Sequence, residues 1–228
     1  MKKHTYSLIA LAVIAVPFGF SFDPRLHFWT HWPAMFASIL VVGFLFVLWD
    51  IMVVKKGHWK FNPVWTGDWT WGGLPLGEYL FFLAVPYAML FSYEAFRTLW
   101  SDRVLFDMPP GTLLALAAVF VAGAALWHRQ GYTLLALTAT AVFFATTALE
   151  RPALIGTQGF VLYMLLGFGA FGVVNGLYTS LPTIFYAPKA IWGIRIGTIP
   201  LEDFFYNMSY LGLILDFYLI FSGFLPTL

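Results

Sequence analysis

The chain contains no cysteine. Disulfides, thiolate nucleophiles and thiolate-ligated metals or clusters are therefore excluded, and the redox compartment stays undetermined. Charge is nearly as scarce. Asp, Glu, Lys and Arg make up 10% of residues against 61% hydrophobic, whereas soluble domains carry roughly 25% charged residues. So little charge cannot cover the outside of a water-soluble fold, so lipid must be the outer solvent. The net charge of +1 and the lack of a basic run give no support for a nucleic-acid partner.

What is present is apolar and segmented. Seven stretches, roughly 4–22, 33–54, 78–99, 111–127, 132–149, 158–181 and 202–224, each approach the ~20 residues needed to cross a bilayer. The expected fold is an all-α integral membrane protein with about seven transmembrane helices. The first stretch follows Met1-Lys2-Lys3, but it is long for a signal-peptide core and no small-x-small site follows it, so it reads as retained. With the N-terminus cytoplasmic, Lys2, Lys3, Lys55, Lys56, Lys60, Arg129, Lys189 and Arg195 share that side. Arg25, Arg97, Arg103 and Arg151 fall opposite. This bias places the N-terminus in the cytoplasm and the C-terminus outside a cell membrane.

Two loops carry one device. Gly73-Leu74-Pro75-Leu76-Gly77-Glu78-Tyr79 precedes the third stretch, and Thr198-Ile199-Pro200-Leu201-Glu202-Asp203-Phe204 precedes the seventh. Their prolines lie 125 residues apart, as do Tyr93 and Tyr218. One offset at several places signals internal duplication. The implied organisation is a first repeat of three helices over 1–100, a connecting helix over 101–130 and a second repeat over 131–228. Both repeats run in the same direction, and parallel repeats commonly enclose a site at their interface.

Asp50, Asp68, Glu78, Glu202 and Asp203 cluster at one membrane boundary. Pro-x-acid is a good helix start, because proline suits the first turn and an acid meets the positive dipole end. Capping alone does not require the same extended string twice. A carboxyl in a low-dielectric pocket tends to keep its proton and can then act as a general acid. Glu78, Glu202 and Asp203 are the candidate catalytic residues. Trp49, Asp50, Pro75, Phe82, Arg195, Pro200, Phe205 and Tyr206 are candidates for the supporting pocket, with Arg195 placed to hold one acid ionised. Aromatic residues reach 20%, and ring faces suit a carbocation kept from water. Asp216, deep in the last stretch, is expected to bond a neighbouring helix, through Asn175, and Glu94 to be interfacial. Gly167-Phe168-Gly169-Ala170-Phe171-Gly172 mimics a dinucleotide fingerprint, but it lies within an apolar helix and, with Gly176, suggests close helix packing. His27 and His31 lack a carboxylate partner, so no metal site is assigned, and no cofactor site is evident.

Trp49-Asp50, Gly57-His58-Trp59-Lys60-Phe61-Asn62-Pro63, Leu74-Pro75-Leu76-Gly77-Glu78, Phe81-Phe82, Pro86-Tyr87 and Tyr93-Glu94 resemble the first half of the lycopene cyclase domain family. Gly193-Ile194-Arg195-Ile196-Gly197-Thr198-Ile199-Pro200-Leu201-Glu202-Asp203 with Tyr206-Asn207 resembles the second half. The family's halves occur as separate subunits or fused, as here. The resemblance implies cyclisation of the psi ends of lycopene to beta-ionone rings, giving gamma- and then beta-carotene. It is a redox-neutral isomerisation begun by a proton on a terminal alkene. One of Glu202 and Asp203 would donate that proton, with Glu78 as partner or base, or with the roles exchanged. The family's first motif usually reads Pro-x-Glu-Glu, and Gly77 replaces its first acid here. The implied partners are a membrane-dissolved carotenoid and the bilayer, with a homo-oligomer or other carotenoid enzymes also compatible. A requirement for reduced flavin or NAD(P)H stays open, though the sequence offers no recognisable site.

Competing readings are a cyclase for a longer (C50) or other psi-ended carotenoid, and a non-enzymatic carotenoid-binding or transport protein. A prenyltransferase would need an Asp-rich magnesium motif, a di-iron oxygenase more than five scattered histidines, and a retinal protein a lysine in the last helix; none is present.

Overall fold

The computed structural model describes residues 2–224, and helices dominate it. They are α1 (Thr5–Phe20), α2 (Phe28–Lys55), α3 (Leu76–Leu99), α4 (Pro110–Leu126), α5 (Gly131–Glu150), α6 (Gln158–Ser180) and α7 (Leu201–Ser222). Five of them, α2, α3, α5, α6 and α7, are long and apolar enough to cross a membrane. The expected first and fourth crossings, α1 and α4, are apolar but shorter, at 16 and 17 residues. The expected sidedness rests on the basic residues alone, and the C-terminal end, 225–228, lies outside the described residues. Leu40, Leu126 and Leu149 face outward, as lipid-facing side chains do. α2 is interrupted by a π-helical turn over Ile39–Gly43, where the ladder widens to i→i+5.

Short strands join the ends of these helices. β1 (Trp59–Phe61) pairs antiparallel with β4 (Ile184–Tyr186), and the central pair is Lys60 with Phe185. Those two residues stand 125 apart. An antiparallel ladder centred on equivalent residues is what a local two-fold axis produces, since i meets j and j meets i. Two hairpins repeat the same relation. β2 (Thr70–Trp71) pairs with β3 (Leu74–Pro75) through Thr70–Pro75 and Trp71–Leu74. β5 (Arg195–Ile196) pairs with β6 (Ile199–Pro200) through Arg195–Pro200 and Ile196–Ile199. Each hairpin turns on glycines at positive φ, Gly72 and Gly73 in one and Gly197 in the other. Each ends on the proline that starts α3 or α7, where the absent N–H would have had no helical partner anyway.

α3 and α7 lie side by side in the same direction. Glu78 and Asp203, near their starts, share one chamber, the Tyr210 hydroxyl donates to the Phe82 carbonyl at 3.0 Å, and further along Tyr218 donates to Glu94 at 2.8 Å. The core of the bundle around them holds fully buried Tyr163, Tyr210, Tyr218, Phe28 and Phe143. Three details differ from the sequence reading. Asp216 accepts from Thr147 at 2.6 Å and not from Asn175, because the face of α7 that carries Asp216 packs on α5. Glu94 is buried beneath Tyr218 and Arg97, the latter at 3.2 Å. Close packing in the glycine run holds at Gly167, where an added Cβ would lie 2.7 Å from Leu211, whereas Gly169 and Gly172 face open space.

Thr147→Val keeps the shape but removes the donor to the fully buried Asp216. The expected result is a loss of about 1–3 kcal/mol of stability, read as a lower thermal midpoint in detergent.

Candidate active site

The two repeated motifs meet. Glu78 and Asp203 line one chamber of about 60 Å³, together with Asp50, Tyr6, Tyr132, Tyr186 and Tyr206. Each acid is clasped in the same way. Tyr6, from α1, donates its hydroxyl to Glu78, and Tyr132, from α5, donates to Asp203 at 2.6 Å. Asp50, from α2, stands beside Glu78 in the same chamber, while Asn175, from α6, donates to Asp203 at 2.8 Å. Asp50 and Asn175 are again 125 residues apart. The halves therefore build one polar site, with an aspartate in one where the other has an asparagine.

That difference has chemical content. Two carboxylates buried side by side repel each other, and a proton on one of them relieves the repulsion. Asp50 and Glu78, both buried, form such a pair of acids inside the chamber. Asp203 instead accepts from three donors, Tyr132, Asn175 and Tyr186 (2.7 Å), the bonding pattern of a carboxylate. Burial and then the neighbouring Asp203 push the Tyr186 phenol well above its ordinary value, so it remains a donor. Tyr206 donates to Asp50 at 3.2 Å. Rings of Trp59, Phe81, Phe171 and Tyr206 complete the walls, and such faces attract a cation.

The other candidates stand around this chamber. Glu202 turns away, accepting from the Thr133 hydroxyl at 2.6 Å and the Trp192 amide at 2.5 Å, with its second oxygen buried and unpartnered among the described residues. Arg195 pairs with neither acid among the described residues. It donates to the Thr198 carbonyl at 2.6 Å and covers the Tyr186 ring at 5.7 Å, because the β5–β6 hairpin carries it outward. Trp49 stacks on Phe46 and meets the Tyr206 ring edgewise, supporting it from behind. Pro75 and Pro200 sit in the hairpins that aim the acids. The residue three after each acid faces the chamber, Phe81 after Glu78 and Tyr206 after Asp203. Phe82 packs on Tyr210, and Phe205 packs on Phe120 and Trp192. Sequence reasoning missed Tyr6, Tyr132 and Tyr186; the first two match only if a one-residue gap is allowed between the halves. Among the described residues no group of three His, Asp or Glu could hold a metal ion.

Gly77 also has a physical reason. A Cβ there would lie 2.0 Å from the Tyr6 ring, so only glycine lets Tyr6 reach Glu78. Its counterpart at the 125 offset is Glu202, which lies outside the chamber, so the glycine deprives the chamber of no acid.

The lycopene cyclase family model matches twice, over residues 3–96 and again over 129–221. The chain belongs to the lycopene cyclase family. Nothing matches it among curated proteins or among solved structures. Membership makes it a carotenoid cyclase of the membrane, and the paired matches follow the two clasps, the first holding Tyr6, Asp50 and Glu78 and the second Tyr132, Asn175 and Asp203.

Gly77→Ala is expected to force Tyr6 off Glu78 and cost about 1–3 kcal/mol. In a Tyr6→Ala background the same change should cost much less, as thermal unfolding of the four proteins in detergent would show.

Proposed function

We propose that this cyclase closes the psi ends of lycopene to beta-ionone rings by acid initiation, with the Asp50–Glu78 pair as proton donor and Asp203 as the counter-charge and base. The observation that carries this reading is the convergence of acids from both halves on one small chamber whose walls, apart from Asn175 and Ile184, are otherwise aromatic. A psi end is a hydrocarbon with no group to polarise, so reaction has to begin with a proton added across a terminal double bond. That proton comes from the carboxyl of the pair, which becomes a carboxylate. The cation attacks the neighbouring double bond, a carbon–carbon bond forms, and the charge moves into the new ring. Loss of a ring proton to a carboxylate leaves the double bond of the beta ring. One proton enters and one leaves, so the product is an isomer and no oxidant or reductant is consumed.

The tyrosine donors fix the carboxylates before the reaction, so little reorganisation is needed when charge develops. Aromatic faces stabilise the cation without supplying a nucleophile that would trap it. A membrane-dissolved polyene is the partner implied, with the N-terminus on the cytoplasmic side.

Expression in cells that accumulate lycopene, with pigments separated by chromatography, tests the reading. Wild type should yield monocyclic and dicyclic carotenes. Glu78→Gln, Asp50→Asn and Asp203→Asn should each lower turnover by about 10²–10⁴-fold, the usual contribution of a general acid or base. Glu202→Gln, outside the chamber, should retain most activity. Unchanged lycopene with wild-type protein present in the membrane would reject lycopene as substrate, and equal loss in Glu202→Gln would reject the assignment of roles.

A further inference from the structure

A second cavity, of about 210 Å³, adjoins the acid chamber and shares Phe81, Phe171 and Asn175 with it. Its other walls come from α1 (Val13), α3 (Val85, Met89), α6 (Leu166, Ala170) and α7 (Asn207, Leu211), and they are almost wholly apolar. A dry cavity of about 150 Å³ accepts a benzene ring, so this one suits a methylated cyclohexene, whereas the acid chamber does not. Leu166 and Ala170 are exposed at its rim, and Gly169 and Gly172 beside them face open space, so the cavity opens toward lipid between α1 and α6. Asn207 is 4% exposed and its amide nitrogen has no partner among the described residues. Such a buried donor costs stability while it stays unmatched, and the π face of a polyene would supply a weak N–H···π contact.

The same place in the other half is filled. At the 125 offset, Val85 corresponds to Tyr210, Asn207 to Phe82 and Phe171 to Phe46. Those three rings pack together, Tyr210 lying 4.8 Å from Phe46 and 5.3 Å from Phe82 between centroids. Val85 and Asn207 thus leave one position open beside Phe171, and three packed rings close its counterpart.

Resting on the cyclase reading, we propose that the open cavity is the seat for a polyene end group, reached sideways from the bilayer past α6. The counterpart is closed, so both ends of a substrate use this seat in separate visits. The seated end extends toward Phe81 and Phe171, where the Asp50–Glu78 pair delivers its proton, and the remaining polyene trails into lipid along the glycines of α6.

Ala170→Trp at the mouth and Leu45→Trp at the equivalent, exposed position of α2 form a matched pair. Two readouts apply: conversion of lycopene in membranes, and retention of lycopene by purified Asp203→Asn protein, seen as a shifted visible absorption band. Ala170→Trp should lower both by on the order of tenfold or more, and Leu45→Trp should leave both near wild type. Ala170→Leu, a milder change, should raise KM more than it lowers kcat. Monocyclic product should appear free in the membrane before dicyclic product and be consumed by added enzyme. Equal effects of the two tryptophans, or dicyclic product without a free monocyclic intermediate, would overturn the proposal. If wild type converts no lycopene, the cyclase reading fails, and the binding readout still decides whether the cavity seats a polyene.

Discussion

A carboxyl group drawn into a bilayer must find hydrogen-bond partners inside the protein, because lipid offers none. The whole architecture answers to this demand at Glu78 and Asp203. Glu78 takes its donor from α1 and stands beside Asp50 of α2, and the donors to Asp203 come from α5, α6 and the β4 strand. Satisfying two side chains therefore fixes the positions of most of the bundle. The hairpins ending on Pro75 and Pro200 complete the arrangement by starting α3 and α7 at matching depth.

Likeness between the halves builds the site, and unlikeness gives it direction. Two identical clasps would give a chamber with no distinction between donor and acceptor of a proton. Replacing one aspartate by Asn175 leaves a carboxyl pair on one side and a triply bonded carboxylate on the other. The same division operates about two turns further along α3 and α7. There Tyr210 fills what Val85 leaves open. Duplication supplied the frame, and single substitutions within it set where a proton resides and where a hydrocarbon can lie.

Much of this was legible in the sequence. The scarcity of charge fixed the solvent, and the 125-residue offset in the prolines revealed the repeat that the strand registers reproduce. Glu78 and Asp203 could be named because acids are rare enough here to stand out. Their tyrosine partners could not, since a chain with 11 tyrosines offers no reason to prefer Tyr6 or Tyr132. Neither could the exclusion of Glu202, which turns on a single rotation of about 100° around α7. Arg195 was misjudged for a related cause. Proximity in sequence to an acid does not imply contact when a hairpin turn intervenes.

The π-helical turn of α2 reconciles the two tyrosines with the offset. Tyr6 precedes Asp50 by one residue more than Tyr132 precedes Asn175, and α6 has no such turn. An i→i+5 turn absorbs one additional residue without rotating the helix beyond it. The widened turn therefore works as a register spacer, a scar of unequal length between the copies that leaves Asp50 facing Glu78. Shortening the segment Ile39–Gly43 by one residue would bring the two halves into strict numerical correspondence while leaving the carboxyl pair in place.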